Sequence, residues 1–324
     1  MRYRRLGGTG HSVSEVGYGA WGIGGGLWRG SQDGASRLAL RNAVEGGVNF
    51  IDTALAYNEG HSERLIGDLV REWGRPLVVA TKIPPKNRRW PADDGTPLRD
   101  AFPADHIRRC TEESLRNLRV ERIDVQQFHV WSDTWAADQE WQDAVRRLQE
   151  EEKVRHWGIS INDHQPANVL RTLDTGLIAS VQVIYNIFDQ SPEEDLFPYC
   201  RSHDIGVIVR VPFDEGGLIG AISPSTHFEP GDFRANYFRG DRKQKVQERA
   251  ERLPTLLGDE AATLPELALR FVLGHEAVST VIPGMRSVRH VESNCSVSDG
   301  RVLNPVLRAK LKEHRWQRNF YGAE

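Results

Sequence analysis

The chain has 324 residues, 39% of them hydrophobic and 27% charged, with a formal net charge of −3. That length allows a sizeable core in one or two domains, and the charge balance favours neither nucleic acid nor an anionic membrane, so a small molecule is the expected partner. The three cysteines, Cys110, Cys200 and Cys295, lie far apart and outside any CxxC spacing, which argues against a disulfide framework or a zinc site, and no run approaches a membrane span, so a soluble cytoplasmic protein is expected.

Residues 2–14 alternate loosely and turn at Gly7-Gly8-Thr9-Gly10, the pattern of a β-hairpin. Residues 15–20 read as a first main strand. After a glycine-rich loop at 22–30, Leu40, Ala43 and Val44 fall on one helix face, ended by Gly46-Gly47; Phe50 and Ile51 begin the second strand. Ser62 is placed as the N-cap of a helix with an apolar stripe of Leu65, Ile66, Leu69 and Val70, and 77–81 is a third strand. A long loop at 84–102 precedes a helix that turns Ile107, Thr111, Ser114, Leu115 and Leu118 inward. Strands follow at 123–128, 154–160 and 180–185. The helices between them are marked by Trp141, Ala144, Val145 and Leu148, and by residues 167–175, which stop at Gly176.

Ser191-Pro192-Glu193-Glu194 combines an N-cap serine, a first-turn proline and a capping-box glutamate, and Thr263 with Glu266 repeats the box. A seventh strand at 206–211, an insertion at 212–257, an eighth strand at 278–282 and helices at 287–294 and 305–318 complete the chain. Eight short, mostly β-branched strands alternating with helices predict an α/β fold. It is a parallel (β/α)8 TIM barrel with an N-terminal β-hairpin and extra C-terminal helices, one domain over residues 1–324.

Four reactive side chains stand at or just beyond the carboxyl ends of consecutive strands: Asp52 and Tyr57 in NFIDTALAY, Lys82 in LVVATK and His129 in DVQQFH. An eight-fold barrel builds its active site at that end. Taken singly, each has a structural reading as a cap, a solvated strand end, a loop aromatic or a packed histidine; together they point to a site. Reducing a carbonyl needs a hydride donor and a proton donor near the oxygen where negative charge develops. A phenol supplies the proton, and since its ordinary pKa is about 10, a cation that favours the phenolate helps. Lys82 is that cation, Asp52 holds it charged, and His129 donates to or orients the same oxygen.

At these residues the chain resembles the aldo-keto reductases. MRYRRLGGTGHSVSEVGYGAWG, NFIDTALAYNEGHSERLIG, ATK, QFH, VRHWGIS, VQVIYN and VIPGMRS are all similar to family segments in the family's order. The resemblance implies a bacterial-type member with NADPH/NADP+ extended across the barrel mouth. It implies a catalytic set of Asp52, Tyr57, Lys82 and His129 with Tyr57 as general acid, and hydride transfer without a metal. It also implies cofactor contacts from Ala20, Trp21 and Asp52, and from Ser160, Asn162 and Gln182 at the nicotinamide amide. Arg210 stands where the family commonly stacks an aromatic ring on the nicotinamide. Pro212, Gly216 and Leu218 fall at the pyrophosphate loop, whose Asp214 and Glu215 are awkward beside phosphates: they point outward and latch the loop to basic groups, or are solvated. Arg286 and Ser287 match the 2′-phosphate segment and Asn294 an adenine contact; Gly284 and His290 are counted with the cofactor site, His290 standing where the family often has a longer or charged residue. In this sequence Ile161 separates Ser160 from Asn162, where family members often carry serine and asparagine side by side.

Gly22, Gly24, Gly25 and Gly26 follow a strand, but Leu27-Trp28-Arg29 is too bulky for a Rossmann phosphate turn. Trp21, Trp28, Trp90 and Trp131 are the candidate substrate-pocket walls, suited to apolar or aromatic carbonyl compounds and also to sugars. The expected activity is NADPH-dependent reduction of an aldehyde or ketone. The alternative is an NADP(H)-binding sensor or regulatory subunit with little turnover.

Overall fold

The computed structural model describes residues 1–321. Two short strands, β1 (Tyr3–Arg5) and β2 (Ser12–Ser14), pair antiparallel as the expected hairpin. Eight strands then pair in parallel and in sequence order: β3 (Tyr18–Gly19), β4 (Phe50–Asp52), β5 (Val78–Ile83), β6 (Ile123–Phe128), β7 (Val154–Ser160), β8 (Ile178–Ile184), β9 (Gly206–Arg210) and β10 (Thr280–Val281). Parallel bridges from Val16 to Val281 and from Gly19 to Gly284 join the first strand region to the last, so the sheet curls into a barrel. Among the described residues, no helix is long and apolar enough to cross a membrane.

Side-chain alternation along each strand divides the apolar residues into two cores. Phe50, Val78, Ala80, Val125, Ile208 and Ile282 point into the barrel, where Leu6 and Val13 of the hairpin pack on them. The hairpin therefore plugs the amino-terminal end: Gly8 N–H donates to Asp204 C=O at 2.6 Å, just before β9. The larger core lies outside the barrel between strands and helices and includes Ile51, Val79, Ile83, Phe128, Ile159 and Val181. One period of two further along the inward rows come Asp52, Lys82, Gln127 and Arg210. The polar groups are thus the top layer of a barrel whose lower layers are apolar.

The helices follow the apolar stripes, with corrections at their ends. The His61–Trp73 helix begins on Gly60, at φ 75°, so Ser62 is inside it and not its cap. Ser62 Oγ instead lies 2.9 Å from Thr53 Oγ1 and 3.2 Å from Ala20 C=O, bracing two strand ends. Residues 191–193 form only a 3-10 turn, with Ser191 Oγ donating to Asp189 at 2.6 Å and Glu194 paired with Arg315; the helix proper is Leu196–Ser202. The Asp189 carboxylate and the Arg315 guanidinium thus outcompete the local capping box. The helix expected at 167–175 is reduced to Leu170–Leu173, and the last helix ends at Lys312, beyond which the chain runs irregularly to Tyr321. Thr263 does cap its helix, accepting from Glu266 N–H at 3.3 Å.

The His61–Trp73 helix packs on the Ala104–Leu118 helix through Gly67. A Cβ there would lie 2.5 Å from Asn117 C=O and 2.8 Å from the Leu118 carbonyl carbon, both backbone atoms that cannot rotate away. Gly67→Ala is therefore expected to destabilise the fold by roughly 1–3 kcal/mol through overpacking, read as a lower urea midpoint with an unchanged slope.

Candidate active site

The mouth is built around Lys82. Its side chain is fully buried, and its ammonium donates to Asp52 Oδ1 at 2.6 Å, to Thr53 C=O at 2.7 Å and to Tyr57 Oη at 3.3 Å. All three donor positions are filled, as a buried ammonium requires. Burial opposes the charge, but the Asp52 carboxylate and the Tyr57 oxygen outweigh it and hold the Lys82 pKa above its ordinary value. The second Asp52 oxygen accepts from Gln182 Nε2 at 2.7 Å and Gln127 Nε2 at 3.2 Å. Gln127 was not among the expected site residues. The signal for it was the paired glutamine in DVQQFH, two uncharged polar residues between Val125 and Phe128 of one strand.

The 3-10 turn Trp21–Ile23 and the bend after β4 bring Trp21 and Tyr57 together, with ring centroids 6.3 Å apart and nearly parallel planes. Tyr57 meets the His129 ring edge-on at 5.7 Å, and Trp90 meets the same imidazole at 5.8 Å. The structure therefore gathers Asp52, Tyr57, Lys82 and His129 into one cluster. Its electrostatics depart from the expectation for Tyr57. Burial raises its pKa, the Lys82 charge lowers it and Asp52 raises it again, and the balance lies above the ordinary phenol value. His129 is pushed well below the ordinary histidine range by burial and by the Lys82 and Arg210 charges, so at neutral pH it is an uncharged imidazole. Its Nδ1 is buried with no hydrogen-bond partner among the described residues.

Arg210 does not lie free across the mouth. Its Nη2 donates to Ile161 C=O at 2.9 Å and to Asp163 Oδ1 at 2.7 Å, while its buried Nε has no partner. Ser160 and Gln182, neighbours in the β7–β8 register, are both buried at the strand ends. Asn162 is engaged elsewhere: its amide bonds both backbone groups of Ala92, the N–H of Trp131 and Gln165 Oε1, which pins the long loop carrying Trp90. Its expected nicotinamide contact gives way to this bracing role. Ala20 lies beneath the turn, its N–H donating to Asp52 C=O at 2.9 Å.

Of the four tryptophans expected to wall the pocket, three stand near the mouth. Trp28 and Phe233 both pack edge-on against Trp21, at 5.1 and 5.2 Å, and Trp90 is 44% exposed. Trp131 does not line it: its indole is fully buried among Phe102, Phe128, Trp135 and Trp141, and its Nε1 donates to Thr172 Oγ1 at 2.8 Å. Four neighbouring aromatics draw the ring into the outer core, which adjacency to His129 in sequence did not reveal. Phe233, from the insertion, takes its place at the rim.

After β9 comes Pro212 and then the turn Asp214–Ile219, in which Asp214 and Glu215 have φ of 51° and 53° and Gly216 of 105°, with Leu218 buried. Both acids point inward and are held by distant residues. Asp214 pairs with Arg318 and accepts from Tyr237 Oη at 3.1 Å; Glu215 accepts from Tyr321 Oη at 2.6 Å. A latch exists, but it is turned inward and not outward as expected, and only Asp214 is held by a basic group; the C-terminal segment supplies both Arg318 and Tyr321. Burial pushes the Glu215 carboxyl up to about 7, against the Tyr321 hydrogen bond and with the help of Asp214.

Beyond β10, Gly284 is exposed and a Cβ there would meet nothing within 4 Å. Arg286 donates to Arg29 C=O at 2.9 Å and its guanidinium lies 5.9 Å from the Trp28 ring centre. Ser287 caps the Val288–Cys295 helix, His290 is exposed on its first turn and Asn294 is buried with its amide 3.5 Å from Gly284 C=O. The orphaned His129 Nδ1 and Arg210 Nε, the open space at Gly284 and the cation at Arg286 fit an extended dinucleotide phosphate.

A sequence profile of the Aldo/keto reductase family matches residues 15–314. The chain is 27% identical to the aldo-keto reductase YhdN of Bacillus subtilis, over 97% of this chain and 96% of that protein. It is 29% identical to an NADH-specific methylglyoxal reductase of Escherichia coli, over 91% and 92%. Among solved structures, an aldo-keto reductase from Klebsiella pneumoniae in complex with NADPH superimposes with a TM-score of 0.68 at 26% identity, covering 98% of this chain and 97% of that one.

Glu215 yields a pH prediction. A carboxyl raised from 4.5 to about 7 on folding stabilises the fold fully below the unfolded value, and that contribution is lost as pH rises through the folded one. The melting temperature of the wild type relative to Glu215→Gln should therefore fall between pH 4.5 and 7.5; a constant difference across that range would refute it.

Proposed function

Because the chain belongs to the aldo/keto reductase family, we propose that it is a nicotinamide-dependent carbonyl reductase in which Tyr57 is the general acid and NADPH the preferred donor. The observation that carries this reading is the chain of contacts from Asp52 through the buried Lys82 ammonium to the Tyr57 hydroxyl, beside the unpartnered Nδ1 of His129.

When bound, the dinucleotide supplies the hydride to the carbonyl carbon. Negative charge then develops on the carbonyl oxygen, and Tyr57 Oη passes its proton to it. The phenolate left behind is favoured by Lys82 Nζ, which is already within hydrogen-bond reach and needs no reorganisation. Asp52 keeps that ammonium charged, and Gln127 and Gln182 keep Asp52 in place. His129, neutral, offers an uncharged hydrogen bond to the same oxygen and does not compete for the proton. The raised Tyr57 pKa keeps the phenol protonated before the step, which suits an acid in reduction.

The backbone of the turn from Asp214 to Leu218 is suited to the pyrophosphate, with Asp214 and Glu215 held away by the C-terminal segment. Ser160 and Gln182 stand for the carboxamide, Arg210 for the nicotinamide face, and Asn294 for the adenine. Arg286, whose planar fork matches a phosphate, would hold the 2′-phosphate. The rim of Trp21, Trp28, Trp90 and Phe233 suits aldehydes and ketones with an aromatic or apolar body.

Tyr57→Phe should retain NADPH binding by fluorescence titration while kcat on a panel of aromatic aldehydes falls roughly 10²–10⁴-fold; wild-type turnover in that variant would refute the general-acid role. Arg286→Ala should weaken NADPH by at least tenfold more than NADH. Equal losses for the two dinucleotides would remove the 2′-phosphate assignment. Tight NADPH binding by the wild type without turnover on any carbonyl compound would favour a sensor over an enzyme.

A further inference from the structure

A second concave site lies away from the catalytic cluster. It is a cleft of about 330 Å³ between the Arg242–Ala250 helix with the turn that follows it and the C-terminal segment. Four cationic side chains line it, Lys245, Arg249, Arg252 and Arg318, against one acid, Glu248. The pairing of these groups is uneven. Lys245 is bound to Asp241 at 2.8 Å, and Glu248 accepts from the Gln244 amide at 2.9 Å. Arg249 and Arg252 have no carboxylate partner among the described residues.

Arg318 is the unusual member. Its side chain is only 5% exposed, yet Nε and Nη1 have no hydrogen-bond partner among the described residues, and its one anionic neighbour is Asp214. It lies over three rings, 4.3 Å from the Trp316 centre, 4.9 Å from Phe320 and 5.5 Å from Phe188. Arg249 lies over the same Trp316 indole at 4.4 Å. Two guanidinium groups thus share one ring, with a third, Arg252, lining the same space. Like charges so placed repel, and the Arg249 pKa is pushed down by burial and then by Arg252 and Arg318.

Buried donors without acceptors are rare in folded proteins and mark a place where a partner is missing. Guanidinium groups match oxyanions with two parallel hydrogen bonds, and Trp316 and Phe320 supply the apolar part of the lining. We propose that this cleft binds a small organic anion, a phosphate or carboxylate group carried on a flat apolar body, with Arg249, Arg252 and Arg318 on the anionic group. The assignment does not rest on the catalytic cluster, although Arg318 also holds Asp214 of the turn proposed for the pyrophosphate.

The test is calorimetric titration of the full chain with phenyl phosphate, benzoate, phenol and inorganic phosphate, with excess NADP+ present to occupy the cofactor site. The expected result is saturable binding of phenyl phosphate or benzoate, the stronger of the two identifying the anionic group, with phenol and inorganic phosphate at least tenfold weaker. The Arg249→Gln/Arg252→Gln double variant should lose at least tenfold in affinity, and Trp316→Leu should lose affinity for the aryl anion. Arg252 is exposed, so if the double variant melts early, Arg252→Glu alone carries the test. Unchanged affinity in the charge variants, equal binding of phenol, or non-saturating binding of every anion would overturn the proposal.

Discussion

The buried ion pair between Lys82 and Asp52 is the constraint on which the upper half of the barrel depends. Moving an ammonium out of water is expensive, and one missing partner leaves an uncompensated charge at about 3–5 kcal/mol. The barrel answers with complete satisfaction. Lys82 uses three acceptors from the Asp52–Tyr57 stretch, and Asp52 takes two further donors from β6 and β8. Strands that are not neighbours are thereby tied to one carboxylate. The same pair bears on the protonation of the mouth: it holds positive charge beside Tyr57, and burial, followed by the Lys82 and Arg210 charges, keeps His129 neutral.

A second polar network grows outward from β9. Asp163 holds Arg210, and the two acids of the following turn are gathered inward by Arg318, Tyr237 and Tyr321. Left-handed backbone at Asp214 and Glu215 is tolerated because these side-chain contacts hold both residues in it. The consequence for function is spatial. Two carboxylates that would repel a pyrophosphate are turned toward the C-terminal segment, and the backbone of the turn is left as the surface beside the mouth. Arg318 and Tyr321 therefore belong to the architecture of the mouth, although they lie outside the alternating strand and helix pattern.

Much of the fold was legible because alternation has a fixed period. Strands 123–128 and 154–160 have the expected bounds, and the inward rows could be continued to Asp52 and Lys82 by counting in twos. The helix caps were less legible. Ser62 and Ser191 carry N-cap chemistry, yet each hydroxyl is engaged elsewhere, one by the distant Thr53 and Ala20 and the other by Asp189, two residues before it. Asn162 and Trp131 turn away from the mouth for a related reason. Both lie close in sequence to other expected site residues, but their side chains face the loop and the outer core.

What the sequence by itself determined was the barrel, its hairpin plug and the four reactive groups at the strand ends, because these follow from local periodicity and from residue types in chain order. The tertiary structure alone decided which way each polar group leans. It spent Asn162 on the Ala92 loop, brought Gln127 under Asp52, replaced Trp131 by Phe233 at the rim and joined Arg318 and Tyr321 to a turn about a hundred residues earlier. Those outcomes depend on which buried donors find acceptors across the barrel, a competition between distant residues that no local pattern records.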